Sequence, residues 1–158
     1  PEVPQYLENS LIENSFFWED PETGIILKTR PDFIRPDAGV VLDLKSVKDA
    51  TPQAFSKDIY NYDYYIQVPM MIDGVNHFLD EDQQIHSFIF VLIEKEYPYG
   101  VVTYQLDQDA IDFGRKQYQK IIQNYARYLD QHKKNENAWP GFPLGIQSID
   151  IPRWAYYQ

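Results

Sequence analysis

The sequence predicts a mixed α/β fold, α+β in its strand pairing, with a central mixed β-sheet flanked by helices. Short runs rich in β-branched and aromatic residues fall before residue 48 and again between 86 and 106, and a stretch of helical period follows each group. The resulting order, βββαββα, is that of one sheet with helices laid against it.

Leu11 to Trp18 and Gly24 to Phe33 read as a hairpin across Glu19-Asp20-Pro21-Glu22-Thr23, a cluster of turn formers. Val40 to Val47 pairs with Gly24 to Phe33 across Arg35-Pro36-Asp37-Ala38-Gly39, completing a three-stranded meander. Thr51 then stands as N-cap with Pro52 at the first helical position, opening a helix toward Met71. Phe55, Ile59, Tyr62, Ile66 and Met70 mark one face of it, while Tyr60, Tyr64, Gln67 and Met71 mark another at i, i+4, i+7 spacing. Pro69 is expected to kink or shorten the last turn. Beyond the acidic loop Asp80 to Gln84, His86 to Glu94 reads as a strand and Val101 to Leu106 as its antiparallel partner. A long helix runs from Asp107 or Gln108 to Lys134, with apolar residues at Ile111, Tyr118, Ile121, Ile122, Tyr125 and Leu129. The tail from Trp139 to Trp154 is irregular and aromatic, and no linker or repeat divides the chain, so residues 1–158 read as a single domain.

Composition narrows the function. At 158 residues with 44% hydrophobic content the chain can bury a sizeable core. The absence of cysteine excludes disulfides and thiolate metal sites and agrees with a reducing cytoplasm. His77, His86 and His132 lack the spacing of zinc ligands. The longest apolar run, Phe88 to Ile93, is far too short to span a membrane, so no membrane partner is expected. A net charge of −10 argues against indiscriminate nucleic-acid binding over the whole surface. Residues 28 to 57 nevertheless hold six basic groups against four acids, leaving −12 on the rest.

That less acidic stretch contains the chemistry. In Val40-Val41-Leu42-Asp43-Leu44-Lys45-Ser46, alternation along the strand places Asp43 and Lys45 on the same face, roughly 7 Å apart. Burying an acid and an amine among apolar residues costs free energy unless they pair or hold an ion. Pro31 cannot donate to a ladder and belongs at a strand start, edge or bulge, where Asp32 can be turned toward Asp43. Two carboxylates sharing a site repel unless a proton or hard cation lies between them, and an oxygen-lined site suits Mg²⁺ or Mn²⁺. The ordinary reading of the same residues is a strand ion pair of Lys45 with Asp43 or Asp32.

Arg30-Pro31-Asp32-Phe33 and Asp43-Leu44-Lys45, with the Tyr-rich segment Asp58 to Gln67, resemble the PD-(D/E)xK nuclease superfamily, and within it the RecE (exonuclease VIII) type exodeoxyribonucleases of prophages. Glu94-Lys95 with Pro98, Trp139-Pro140-Gly141 and Pro152-Arg153-Trp154 are similar to downstream landmarks of that family. The resemblance implies a restriction-endonuclease-like core with Mg²⁺ held by Asp32, Asp43 and the Leu44 carbonyl. Lys45 would position water or oppose charge on the phosphate, and Gln67 would orient the site from the helix. Tyr60 and Tyr64 are candidate substrate contacts, although aromatic stripes on helices ordinarily pack. The implied activity is Mg²⁺-dependent hydrolysis of linear double-stranded DNA from its ends in phage-type recombination. The implied partners are a single-strand annealing protein of the RecT type and further copies of the chain. An endonuclease of the same fold and a catalytically silent DNA-binding module are the alternatives. The RecB-like pattern Gln-x-x-x-Tyr meets Met71 instead of tyrosine. The family's upstream helices, which supply a further acid or histidine, are expected to lie outside a chain that begins at Pro1. Glu13 reads as an exposed strand glutamate that could face the site, and Glu94 as a strand-end residue that could approach the metal.

Overall fold

The computed structural model describes residues 4, 7–134, 141–143 and 145–157. Trp139 and Pro140, read above as a landmark, lie outside the described residues. By internal packing the chain divides into two compact units, Pro1–Ala126 and Arg127–Gln158.

The first unit carries a five-stranded sheet built from β1 (Leu11–Ile12), β4 (Phe33–Arg35), β5 (Val40–Val47), β6 (Ser87–Glu94) and β7 (Val101–Gln105), in the order β1-β4-β5-β6-β7. The pair β5 and β6 is parallel and every other neighbouring pair antiparallel, so the sheet is mixed as expected. A separate hairpin joins β2 (Phe16–Glu19) to β3 (Ile26–Thr29). Helices α1 (Pro52–Asn61) and α2 (Tyr64–Asn76) form the crossover between the parallel strands, and α3 (Gln108–Lys134) follows β7.

The first two expected strands are each broken in two. Glu13 adopts a left-handed conformation at φ 50° and ends β1, while Pro31, without an N–H, separates β3 from β4. The meander is thus replaced by a free hairpin, β2–β3, and a β1–β4 pair on the main sheet. The turn Arg35 to Gly39 forms as read: a 3-10 turn over Pro36–Ala38 ends at Gly39, whose φ of 64° is the left-handed value that glycine tolerates.

The expected helix from Thr51 is also two helices. Asp63 takes φ 56°, which an aspartate adopts more readily than most residues, and closes α1 by a bond from its N–H to the Tyr60 carbonyl while opening α2. This break removes the Tyr60, Tyr64, Gln67 stripe: Tyr60 belongs to α1 and is exposed, whereas Tyr64 turns inward against Phe55 and Phe90. Tyr62, expected on the packed face, is exposed for the same reason. Thr51 occupies the N-cap position, but its hydroxyl makes no capping bond.

Pro69 neither kinks the chain out of helix nor ends it, since α2 continues to Asn76. Its missing N–H leaves the Tyr65 carbonyl without the i+4 donor, and α3 crosses at that spot. Gly114 of α3 lies so close that a Cβ there would fall upon the Tyr65 carbonyl oxygen.

One face of the sheet, carrying Ile34, Val41, Phe88, Phe90 and Leu92, packs with Phe55, Val68, Ile72, Val75 and Ile111 of the helices into the main core. Trp18 and Leu27 of the hairpin pack with Tyr118 and Ile122 of α3. Asp73 of α2 binds Arg115 through both carboxylate oxygens and accepts from the Tyr118 hydroxyl. The second unit contains the end of α3 and a 3-10 turn over Arg153–Tyr157, from which the Tyr156 hydroxyl donates to Asp150. Among the described residues no helix is long and apolar enough to cross a membrane.

Candidate active site

Strand β5 positions the site because it outruns its neighbour. Pairing of β4 with β5 ends at Phe33 opposite Leu42. Continuing that register would set Asp32 opposite Asp43 and Pro31 opposite Leu44. A strand residue presents its N–H and C=O to the same side, and proline has no N–H to return. The Leu44 carbonyl is thereby left without a ladder donor on that side, and the Leu44 N–H bonds instead to Asp32 Oδ2 at 2.8 Å. Pro31 is fully buried beneath this junction. The ladder is carried outward by the Glu13 N–H, which donates to the Asp32 carbonyl at 3.0 Å.

On the core-facing side of β5, Asp43 is 3% exposed. Lys45 Nζ stands 2.6 Å from its Oδ2, so the same-face reading of the two residues holds. That oxygen has no partner besides the Lys45 ammonium. Burial pushes the Asp43 carboxyl above the ordinary carboxylate range; Lys45 pulls it down and the negative charge of Asp32 adds to the rise. Lys45 Nζ also lies 4.6 Å from the centroid of the Tyr64 ring, a cation–π contact that fixes the ammonium between helix and strand.

Asp32, Asp43, Leu44, Lys45 and Tyr64 are therefore brought together. Gln67 is three residues beyond Tyr64 on α2, hence on an adjoining part of the same face, and is partly buried. Among the described residues no hydrogen bond ties its side chain to the carboxylates. Tyr60 stands apart, stacked on Tyr65 with ring centroids 5.9 Å apart. Glu13 lies off the strand, its side chain paired with Arg30 at 3.8 Å. Glu94 holds the loop after β5, accepting from the Ala50 N–H at 3.0 Å, while the Tyr104 hydroxyl donates to the Ala50 carbonyl at 2.8 Å. Both bonds anchor the passage from β5 into α1 and hence the approach of Tyr64 to Lys45.

The donors fit a hard cation. They are all oxygen, one buried carboxylate oxygen meets only Lys45, and the negative charge of Asp32 helps raise the Asp43 carboxyl. Among the described residues no cluster of three or more His, Asp, Glu or Cys side chains forms. The chain's own contribution here is thus two carboxylates and a backbone carbonyl.

Comparison with known proteins agrees with this geometry. The model of the PDDEXK-like domain of unknown function (DUF3799) matches residues 7–140. No curated protein matches the sequence. Among solved structures, a "putative exonuclease" from Eubacterium rectale aligns over 97% of this chain with a TM-score of 0.63 at 16% identity. The chain spans 58% of the length of that protein. The protein SSO0001 aligns over 73% of this chain and 51% of its own, with a TM-score of 0.43 and 16% identity.

Proposed function

Since the chain belongs to the family of PDDEXK-like domains of unknown function (DUF3799), we propose that it is a Mg²⁺-dependent exodeoxyribonuclease of the RecE type, hydrolysing linear double-stranded DNA from its ends. The observation that carries this reading is the junction of Asp32 with Leu44, beside the buried Asp43–Lys45 pair. An ordinary strand ion pair gives no reason for a second carboxylate to be drawn to the same place against charge repulsion.

In this reading Asp32, Asp43 and the Leu44 carbonyl hold Mg²⁺, with Mn²⁺ able to substitute. The ion would lower the pKa of a bound water and oppose charge on the phosphate. Hydrolysis forms a bond from the water oxygen to phosphorus and breaks the bond from phosphorus to the leaving sugar oxygen, which takes up a proton. Lys45 orients the attacking water or stabilises the charge gathering on the phosphoryl oxygens. Tyr64 holds Lys45 in place from the helix, and Gln67, one turn on, orients the site. The partners proposed are DNA ends, a single-strand annealing protein of the RecT type and further copies of the chain. The setting is phage-type recombination in the cytoplasm.

The test compares linear with covalently closed circular duplex, each incubated with the protein and Mg²⁺ while acid-soluble nucleotides are followed. Release from the linear form alone is expected. Rapid loss of the closed circle would replace this reading with an endonuclease of the same fold, and inertness toward both would favour a silent DNA-binding module.

A further inference from the structure

Three aromatic rings from three helices form a stack on the surface. Tyr60 of α1 and Tyr65 of α2 have ring centroids 5.9 Å apart and planes within 8°. Tyr65 and Phe113 of α3 are 5.6 Å apart at 23°. The outer rings remain open to solvent, Tyr60 at 70% and Phe113 at 52% exposure. The arrangement follows from two features already described: the left-handed Asp63 swings Tyr60 away from Tyr64, and the close approach of Gly114 to the Tyr65 carbonyl brings Phe113 beside Tyr65.

We propose that this stack is a platform for the unpaired bases of a single DNA strand. A paired duplex hides its base faces, whereas every unpaired base offers a π-face to an aromatic ring. A lysine accompanies each outer ring, while Asp63 lies beside the central one. Lys57 lies one turn before Tyr60 on α1 and Lys116 one turn after Phe113 on α3, so each shares a helix face with its aromatic residue. Neither is in an ion pair among the described residues. The platform shares helix α2 with the candidate site: Tyr65 faces Phe113 of α3, and Tyr64, the residue before it, touches Lys45. This placement rests on the nuclease reading, which supplies a single strand next to the site: removing one strand of a duplex leaves the other unpaired.

The test is carried out in EDTA, so that binding is read without cleavage. Labelled oligothymidylate of about a dozen nucleotides, within the range of such sites, is titrated with the parent, Tyr60→Ala and Phe113→Ala, using fluorescence anisotropy. An abasic strand of equal length serves as comparison. Each substitution is expected to weaken oligothymidylate binding about tenfold, the loss of roughly one stacked base, and to leave the abasic strand nearly unaffected. Tyr60→Trp should retain affinity and show quenching of its indole emission on binding. Equal binding by the parent and both alanine variants, or equal affinity of the parent for the abasic strand, overturns the platform. Cleavage of linear duplex in Mg²⁺ is scored separately. Cleavage without base-dependent binding removes the platform alone, and absence of both removes it together with the nuclease reading.

Discussion

The Asp32 carboxylate accepts the Leu44 amide at 2.8 Å, occupying the place that a backbone carbonyl of β4 would have filled had the strand continued past Pro31. One acid is thereby fixed by the ladder of the strand that carries the other. The Leu44 carbonyl lies on the same strand edge as that N–H, so Pro31, the two acids and the Leu44 backbone meet at one junction.

Metal should stabilise the folded protein through these groups. Mn²⁺ at ten times its dissociation constant adds about 1.4 kcal/mol to folding, or about 3–6 °C in melting temperature for a chain of this size. Asp43→Asn should abolish the shift. Asp32→Ala should abolish it too and lower the metal-free stability by about 1 kcal/mol, because the Leu44 N–H loses its acceptor. An undiminished Mn²⁺ shift in both variants would place the ion elsewhere.

Replacing Lys45 by Ala separates binding from chemistry. The oxygen donors remain, so the Mn²⁺ shift should persist, while cleavage of linear DNA should fall by about a hundredfold or more with loss of the cation opposing transition-state charge. Parental activity in the variant would reduce Lys45 to a partner of Asp43.

The pH dependence of the metal-free protein follows from Asp43, whose carboxyl is raised above its unfolded value of about 3.9. Between the two values the folded protein holds a proton that the unfolded chain has lost. The stabilising contribution of this group is therefore full below the unfolded value and declines as pH rises through the folded one. Urea unfolding in EDTA from about pH 4 to 7 should show the parent losing stability relative to Asp43→Asn as pH rises. The opposite trend would mean that Lys45 outweighs burial.

At the helix crossing, Gly114→Ala should destabilise the protein by about 1–3 kcal/mol, because the new methyl meets backbone at Tyr65 rather than a movable side chain. Urea unfolding gives the value. A neutral substitution would show that α3 can slide without cost.

Much of this architecture is legible in the residues. The strand β6, its antiparallel partner β7 and the long helix α3 follow from period and turn chemistry, and the shared face of Asp43 and Lys45 follows from alternation alone. The breaks are harder to read, because they depend on single residues whose local preference outweighs the surrounding pattern. Pro31 is legible as a strand start, edge or bulge, but that it divides β3 from β4 follows from pairing with different partners, a tertiary matter. Asn61-Tyr62-Asp63 carries a signal for a helix break, since Asn and Asp tolerate the left-handed region, but the aromatic period on both sides masks it. Tyr65 and Phe113 meet only because Pro69 frees a carbonyl and Gly114 permits the crossing, a coincidence of two helices that no single window of sequence contains.

The most direct measurement is the release of acid-soluble nucleotides from linear duplex DNA by the parent and by Asp43→Asn, with Mg²⁺ present and with Mg²⁺ removed by EDTA. The proposed site predicts Mg²⁺-dependent release by the parent and a loss of about a hundredfold or more in a variant that remains folded by circular dichroism. Equal release by Asp43→Asn, or release by the parent in EDTA, would contradict it.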